Sequence, residues 1–284
     1  MSKEDIYYSN QETAWCPGCG NFPLRKALAG ALNELGLLPP QVAIFTGIGQ
    51  AAKMLHYIRV NGFNGLHGRS IPPAIGSRIV NPTLKVLVES GDGCTYGEGG
   101  NHFLHNIRRN PDITHLVHNN QIYGLTKGQA SPTTGEGMTT KIQTEGINSE
   151  PLNPIKLALS LGASFVARGF VGEEDHLREL IKSAIKHRGY ALLDILQPCV
   201  SFNKVNTYQW YKQRVYKLAD NYDDSDYNKA LKKANEWGEQ IPIGIFYRKE
   251  KKIFRDRFSQ LDDRPLVEKE INPLGVKPFL LDFK

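Results

Sequence analysis

The residues best suited to chemistry are a carboxylate and a pair of amides at a fixed separation in the chain. Asp92 is flanked by Gly91 and Gly93, and after 25 further residues come Asn119 and Asn120. Carboxylate and amide oxygens are ligands that Mg²⁺ prefers. Glycines beside the carboxylate let the backbone approach a phosphate, and a following helix N-terminus favours its negative charge. The constellation indicates a site for Mg²⁺ and a diphosphate, whereas Gly-Asp-Gly alone would indicate an ordinary turn.

Two predicted strands explain how the carboxylate and the amides come together. The apolar run 85–90 (KVLVES) ends just before Gly91, and the apolar run 113–118 (ITHLVH) ends just before Asn119. The stretch between them has room for a loop and a helix. A right-handed crossover makes the two strands parallel neighbours, so Asp92 and Asn120 emerge at the same edge of the sheet. Open α/β sheets bind their ligands at that edge.

The same alternation of strands and helices continues to about residue 200. The periodicity predicts helices at 22–37 and 173–187 and further strands at 42–46, 164–168 and 191–197. Apolar strands that alternate with helices are typical of an α/β fold, with a mostly parallel sheet covered by helices on both faces. The alternation stops after about residue 205. The sequence therefore predicts a domain of residues 1–205 and an irregular C-terminal extension, residues 206–284, that wraps the core or a partner.

The composition excludes several classes of protein. The 284 residues are 40% hydrophobic and 23% charged, which is typical of a globular chain rather than a disordered one. No apolar run reaches the roughly 18 residues of a membrane span, so no membrane is expected as a partner. The net charge of +6 is small and dispersed, so no nucleic acid is expected either. The N-terminal residues contain no export signal, which predicts a cytoplasmic protein.

The four cysteines are the second group with chemical potential. Cys16 and Cys19 form a CxxC pair, and Cys94 and Cys199 follow singly. In a reducing cytosol a CxxC pair is typical of a metal or redox element rather than of a structural disulfide. An isolated cysteine is more often a small buried apolar residue.

Several segments together resemble one known family. They are WCPGCGNF (15–22), LHGR (66–69), ESGDGCTYGEGGNHF (89–103) and NNQIYGLTKGQASPT (119–133). In this order they resemble the β subunit of 2-oxoacid:ferredoxin oxidoreductases, and GDG-x₂₅-NN is similar to the motif that binds thiamine diphosphate. The resemblance covers roughly residues 10–205. It implies a thiamine-diphosphate-binding fold and the oxidative decarboxylation of a 2-oxo acid to an acyl-CoA and CO₂, with electrons passed to ferredoxin.

The resemblance also implies roles for individual residues. Asp92 and Asn120 would bind Mg²⁺ through their side chains, and Ile122 would bind it through its backbone carbonyl. The residues that would contact thiamine diphosphate are Ile48, Gly49, Gln50, Ala51, His67, Gly68, Arg69, Ser70, Gly93, Cys94, Gly124 and Leu125.

Two lysines are candidate catalytic residues, because a 2-oxo acid always carries a carboxylate. Lys127 lies within YGLTKGQ, near the expected Mg²⁺ loop, and Lys53 follows GIGQA. A lysine ammonium is a suitable partner for a carboxylate. The alternative, that these are solvated surface lysines, stays open, most of all for Lys53.

The resemblance further implies a [4Fe-4S] cluster, for which four thiolates are the usual ligands. Cys16, Cys19 and Cys199 fall where three ligands belong, and Gln50 occupies the place of the fourth. Three interpretations remain. A cluster could use three cysteines with a non-cysteine or exchangeable ligand, or take a three-iron form. Cys94 could substitute, although its place beside the diphosphate disfavours this. The cluster could be absent, leaving Cys16 and Cys19 as remnants or zinc ligands. We expect a cluster, because three cysteines are correctly placed.

One catalytic group is missing from this chain. In the family, the glutamate that activates thiamine diphosphate lies on the pyrimidine-binding domain of another subunit. The chain is therefore expected to be inactive without an α, or fused α/γ, subunit, and its other partners would be ferredoxin, coenzyme A and the 2-oxo acid. Two alternatives remain: a subunit of a non-oxidative thiamine-dependent decarboxylase or lyase, which Gln50 keeps open, and a non-catalytic metal- or nucleotide-binding subunit.

Overall fold

One mostly parallel sheet organises the chain. The computed structural model describes residues 5–270 and 272–283. The strands are β1 (Val42–Thr46), β2 (Asn61–Asn64), β3 (Lys85–Gly91), β4 (Ile113–Asn119), β5 (Phe165–Phe170), β6 (Tyr190–Leu196), β7 (Val215–Lys217) and β8 (Ile241–Arg248). Their order in the sheet is β2-β1-β3-β4-β6-β5-β8-β7. All neighbouring pairs are parallel except β5 and β8, which are antiparallel.

Helices cover the sheet on both faces. They are α1 (Asn21–Glu34), α2 (Met54–Tyr57), α3 (Ile71–Val80), α4 (Gly100–Arg109), α5 (Pro154–Ser160), α6 (Glu174–Lys186), α7 (Tyr208–Lys212), α8 (Tyr227–Ala234) and α9 (Lys277–Leu280). One hydrophobic core contains buried side chains of α1, α2, α6 and α7, and a second contains those of α3, α4, α5 and α8. The predicted α/β architecture, with helices on both faces, is confirmed.

The two cores explain why the strands carry apolar side chains on both faces. In β1, Val42 and Ile44 belong to the first core, whereas Ala43 and Phe45 belong to the second. Successive side chains of a strand point to opposite faces, so a strand covered on both sides is predominantly apolar instead of alternating with polar residues. This is the pattern from which β1, β3, β4 and β6 were predicted.

The register of the central strands sets the position of the candidate ligands. Gly91 of β3 lies opposite His118 of β4, and Asn119 of β4 lies opposite Leu196 of β6. The residues that follow these pairs therefore leave the sheet at a common edge. A short π-helical turn, Gly93–Glu98, follows β3 directly and leads into α4.

The C-terminal extension is only partly irregular. The sequence predicted no regular structure after residue 205, but β7 and β8 join the sheet there, and α8 packs against it in the second core. After β8 the described residues contain short 3₁₀ turns and α9, and the apolar side chains near the C-terminus, such as Val267 and Phe279, are exposed. The domain boundary at residue 205 stays a prediction, since β8 pairs with a strand of the preceding domain.

A buried histidine in β4 makes the stability of this sheet depend on pH. His115 is fully buried, with Nε2 2.9 Å from the hydroxyl of Ser90 and Nδ1 2.6 Å from that of Tyr190. Burial, with a smaller contribution from His118, lowers the pKa of His115 to about 3. The folded chain therefore holds this ring neutral, whereas the unfolded chain protonates it near its ordinary pKa of 6.5.

We predict that His115→Gln flattens the dependence of stability on pH. Between about pH 6.5 and pH 3 the unfolded wild type binds one more proton at this site, so its free energy of unfolding should fall by up to about 1.4 kcal/mol per pH unit as the pH drops. The variant should lose that component of the slope in urea unfolding followed by circular dichroism. His56→Gln, a change at an exposed ring, is the control that should retain it. Equal slopes in both variants would contradict the assignment.

Candidate active site

Asp92 is the most unusual charged group at the common edge. It follows β3 directly, and its residue is 2% exposed. Its Oδ2 accepts hydrogen bonds from the hydroxyls of Ser131 at 2.5 Å and Thr133 at 2.6 Å. Burial raises the pKa of Asp92 to about 6, although these two hydrogen bonds act in the opposite direction. A divalent cation bound to this carboxylate would offset the cost of burying its charge.

Asn119 has a structural role beneath the site. Its Oδ1 lies 2.9 Å from the hydroxyl of Thr133, and its Nδ2 lies 3.2 Å from both carboxylate oxygens of Asp194. Asp194 also accepts a hydrogen bond of 2.8 Å from the hydroxyl of Tyr96. These contacts occupy the Asn119 side chain and hold it under the site, so Asn120 is the amide available at the edge.

The loop after β4 turns sharply to present Asn120. Gln121 adopts a left-handed backbone conformation, with φ 57°, which is uncommon outside glycine. Its side chain is fixed by a hydrogen bond to the carbonyl of Thr133 and another from the hydroxyl of Tyr211. The Oδ1 of Asn120 accepts a hydrogen bond of 3.0 Å from the backbone of Ile122. The loop conformation is therefore determined by tertiary contacts.

A cavity of about 230 Å³ opens between these loops, and we call it the edge cavity. It brings together most of the residues assigned from the sequence to Mg²⁺ and the cofactor. These are Ile48, Gly49, Gln50, Ala51, His67, Asp92, Gly93, Cys94, Asn120, Ile122, Gly124 and Leu125. Gly91, one of the two glycines expected to let the backbone approach a phosphate, lines the cavity as well, and three further lining residues were not predicted from the sequence: His118, Tyr123 and Thr126.

The segment after β2 contributes differently from what was expected. His67 lines the edge cavity and pairs through Nε2 with Glu98 at 2.8 Å, and its buried Nδ1 has no hydrogen-bond partner within the described residues. Gly68 does not line the cavity, but its N–H donates to the Sγ of Cys94 at 3.2 Å. Gly68 has φ +71°, and a Cβ there would lie 2.6 Å from the backbone of Glu98. Glycine is therefore required for this close approach.

Four more predicted residues lie outside the lining of the edge cavity. Arg69 is exposed and points to α4, where its Nη1 lies 2.7 Å from Nε2 of His102. Ser70 is buried at the start of α3. Lys53 is half-buried before α2, and Lys127 is exposed in the loop that follows the edge cavity residues. Lys127 has φ 75°, a strained conformation for a residue with a side chain, and such strain is often found at functional sites.

The cysteines gather around a second space, the cysteine cavity, of about 30 Å³. Cys16, Cys19, Cys199 and Gln50 all line it. Burial raises the pKa of Cys19 to about 11, and the nearby Cys199 and Cys16 raise it further. Cys94 is not in this group: it lines the edge cavity. In residues 5–270 and 272–283, no three His, Cys, Asp or Glu side chains converge closely enough to hold a single metal ion.

The two cavities are neighbours. Gln50, Asn120 and Gly124 line both of them. The side-chain amide of Asn203 donates to the backbone carbonyl of Asn120 at 3.1 Å, and the backbone N–H of Asn203 donates to the carbonyl of Cys199 at 3.2 Å. The cysteine loop after β6 is thus tied directly to the loop that carries the candidate Mg²⁺ ligand.

The sheet edge and its cavity define a class of protein when they are compared with known families. The family model described as thiamine pyrophosphate enzyme, C-terminal TPP binding domain, matches residues 44–195, which is more than half of the chain. That range runs from within β1 to within β6 and contains the whole lining of the edge cavity. The chain is therefore a thiamine-diphosphate-binding α/β protein. No helix among the described residues has the length and apolarity needed to cross a membrane.

A second family model and two similar proteins narrow this class further. The family model for the C-terminal part of the pyruvate ferredoxin oxidoreductase β subunit matches residues 199–263. The 2-oxoacid:ferredoxin oxidoreductase subunit beta of Saccharolobus solfataricus is 48% identical over 250 residues, which cover 83% of this chain and 82% of that protein. Subunit beta of enzyme 1 from Aeropyrum pernix is 43% identical and covers 93% and 86% of the two chains.

A solved structure shows the same fold over nearly the full length. It is a 2-oxoglutarate:ferredoxin oxidoreductase from Magnetococcus marinus, with 2-oxoglutarate, coenzyme A and succinyl-CoA bound. Its TM-score is 0.91 at 34% identity, and the match covers 99% of this chain and 96% of that one. The chain belongs to the β subunits of the 2-oxoacid:ferredoxin oxidoreductases.

Gly93 gives a direct test of the edge cavity. A Cβ at Gly93 would lie 2.1 Å from the Tyr123 ring, whereas a Cβ at Gly76, on α3 and outside the lining of the edge cavity, would meet no atom within 4 Å. We predict that Gly93→Ala displaces Tyr123 and weakens thiamine diphosphate binding about tenfold or more, which is about 1.4 kcal/mol. Gly76→Ala should bind within about twofold of wild type. The measurement is calorimetric titration of the assembled enzyme with saturating Mg²⁺, and equal losses in both variants would contradict the close approach at Gly93.

Proposed function

We propose that this chain holds thiamine diphosphate and Mg²⁺ in the edge cavity and, with its partner subunit, decarboxylates a 2-oxo acid oxidatively to an acyl-CoA. The observation that carries the proposal is the buried Asp92 carboxylate at the carboxyl ends of parallel strands, beside a cavity of about 230 Å³. The related enzyme from Magnetococcus marinus binds 2-oxoglutarate, coenzyme A and succinyl-CoA, which supports this class of substrate and product.

The residues of the edge cavity fit the two cofactors. Mg²⁺ requires oxygen ligands, and Asp92, Asn120 and the backbone carbonyl of Ile122 supply a carboxylate, an amide and a peptide oxygen within one cavity. A side chain at Gly93 would collide with the ring of Tyr123. Because glycine has none, the backbone at this position is left open to a phosphate. The Nδ1 of His67, which has no hydrogen-bond partner among the described residues, offers a further polar contact. Gly93, Cys94, Gly124 and Leu125 would surround the diphosphate.

The residues of this chain bind and orient, and the cofactor carries the covalent chemistry. Thiamine diphosphate, when bound, would supply the carbanion chemistry through which a 2-oxo acid can lose CO₂. Asp92 and Asn120 would fix the diphosphate end through Mg²⁺. Ser131 and Thr133 hold the Asp92 carboxylate in place through its Oδ2. The fixed metal end allows the reactive end of the cofactor to meet its substrate in one orientation.

Exposed apolar residues support a partner at this edge. Ile48 is 40% exposed and Leu125 is 43% exposed, and both line the edge cavity. Phe63 and Leu66, which precede His67, are also exposed. Exposed apolar groups beside a ligand site are typical of protein interfaces. We propose that this edge is covered by an α, or fused α/γ, subunit, which excludes water and supplies the pyrimidine-binding domain with its glutamate.

The cysteine cavity supplies the proposed exit for electrons. Cys16, Cys19 and Cys199 would hold an iron–sulfur cluster that accepts electrons one at a time and passes them to ferredoxin. The three cysteines suit a cluster chemically, because thiolates are the ligands of iron–sulfur clusters. A cluster distributes its ligands over several iron atoms, so the cysteines need not converge on one point. The three thiols line one space, and Cys16 is exposed at the chain surface.

The Mg²⁺ assignment is tested by Asp92→Asn. This change keeps the shape but removes the charge, so Mg²⁺-dependent binding of thiamine diphosphate should weaken by more than the roughly 10- to 100-fold typical of changes to groups that merely orient a metal ligand. Reduction of ferredoxin by 2-oxo acid and coenzyme A should disappear with it. Asp175→Asn, whose side chain is 89% exposed on α6, is the matched control. Unchanged cofactor binding in Asp92→Asn would refute the site. Release of free aldehyde by the wild type without any acceptor would instead favour a non-oxidative decarboxylase.

We further propose that Lys127 and Lys53 bind the carboxylate of the 2-oxo acid. Both follow segments that line the edge cavity, and a lysine side chain is long and flexible enough to reach inward from its rim. Lys127→Met should raise the KM for the 2-oxo acid about tenfold, or about 1.4 kcal/mol, with a smaller change in kcat. Lys53→Met is expected to act in the same direction. Lys229→Met, an exposed change on α8, should leave both constants unaltered, and an unaltered KM in Lys127→Met would exclude this role.

A further inference from the structure

We propose that Gln50 is an iron ligand, and that its side-chain carbonyl oxygen takes the fourth position beside Cys16, Cys19 and Cys199. The inference rests on the proposed cluster but concerns a different residue and a different chemical group. Gln50 lines the cysteine cavity together with the three thiols. Its Oε1 is buried and has no hydrogen-bond partner within residues 5–270 and 272–283. Burying an amide oxygen without a hydrogen-bond partner costs folding free energy. Its position beside three thiols therefore indicates that this oxygen binds a metal together with them.

The backbone of Gln50 is held independently of its side chain. The indole N–H of Trp15 donates to the backbone carbonyl of Gln50 at 2.9 Å, and the Asn21 amide approaches the same carbonyl at 3.5 Å. Trp15 directly precedes Cys16, and its ring packs edge-on against Tyr57. The CxxC segment and residue 50 are therefore fixed to each other. The Gln50 side chain remains available to a ligand in the cysteine cavity.

Cys94 does not supply the fourth ligand. It is 2% exposed, lines the edge cavity, and its Sγ accepts a hydrogen bond from the N–H of Gly68. A Cβ at Gly47 would lie 2.4 Å from that sulfur, so the thiol is closely confined by the segment after β1. Of the two substitutes that the sequence offers for a fourth cysteine, only Gln50 lies in the cysteine cavity.

An amide oxygen differs from a thiolate in charge and in affinity for iron. It is neutral, and its oxygen is a harder ligand than the sulfur that iron–sulfur clusters ordinarily use. One iron would therefore be held less tightly than the other three. With ferricyanide as the oxidant, a [4Fe-4S]²⁺ core gives up one electron to ferricyanide and releases Fe²⁺, which leaves [3Fe-4S]⁺. The three thiolates remain bound, and the Gln50 oxygen is freed.

The experiment compares iron in variants of the complete enzyme, made with the partner subunit and purified without oxygen. Iron and acid-labile sulfide per β chain are measured first, in wild type and in Cys16→Ser with Cys199→Ser. Each sample is then treated with ferricyanide and a ferrous chelator, while iron release and the electron paramagnetic resonance spectrum are recorded. Wild type should release about one iron per β chain and show a three-iron signal. Gln50→Cys should retain four irons and give no such signal.

Two further variants separate ligation from packing. Gln50→Glu keeps an oxygen at the same reach and adds charge, so it should release iron more slowly than wild type. Gln50→Ala removes the oxygen and should release it several-fold faster. Phe202→Leu is the matched control: Phe202 lines the same cavity, but its side chain has no group that could bind iron or donate to a thiol. Its iron release should match that of wild type.

The outcomes distinguish this inference from the proposed function. If the double cysteine variant loses three or four irons but all Gln50 variants release iron as wild type does, a cluster is present and Gln50 is not its ligand. If the double cysteine variant loses no iron, the chain holds no cluster, and both assignments are wrong. If Phe202→Leu changes iron release as much as Gln50→Ala does, the effect comes from packing, which also refutes Gln50 as an iron ligand.

Discussion

The parallel alignment of β1, β3, β4 and β6 is the constraint on which the rest of the site depends. These four strands are consecutive neighbours in the sheet and run in the same direction, so their carboxyl ends share one edge. Each strand is followed by a segment that brings one residue to this edge. In chain order these residues are Gln50, Asp92, Asn120 and Cys199. A slip of one residue between β3 and β4 would turn every paired side chain to the opposite face. The buried cores on both faces prevent that slip.

Burial of Asp92 sets the electrostatic character of this edge. An isolated carboxylate in the interior tends to take up a proton, and burial raises the pKa of Asp92 to about 6. Ser131 and Thr133 stabilise the ionised form by donating to it, and Thr133 also contacts Asn119, which is held by Asp194. The polar network thus connects the edge that carries Asp92 to β6. The hydroxyls of Ser131 and Thr133 keep the Asp92 carboxylate in one orientation without neutralising its charge. The remaining negative charge favours the binding of a cation.

The sequence could predict Asp92 and Asn120 because one strand–helix–strand unit sets the distance between them. Ser131 and Thr133 could not be assigned the same way, since they return to the site from a long loop without periodicity. The two strands of the C-terminal part were missed for related reasons. β7 has three residues, and β8 contains Pro242 and Gly244, which are unusual within a strand. Both form because the edge of β5 is available to β8. Tertiary contacts, rather than local pattern, determine these elements.

The short segment from Ile48 to Ala51 contributes to two cavities through different groups. Its backbone shapes the edge cavity, and the backbone carbonyl of Gln50 is the atom that Trp15 holds. The side chain of Gln50, by contrast, lies between the two cavities. Its buried Oε1 has no hydrogen-bond partner among the described residues. A substitution of this side chain, such as Gln50→Cys, would therefore leave in place the hydrogen bond from Trp15 that fixes the segment. It would alter the chemistry beside the three cysteines without removing a hydrogen bond of Asp92 or Asn120 described above. The cysteine cavity and the edge cavity are thus neighbours whose chemistry can be changed separately.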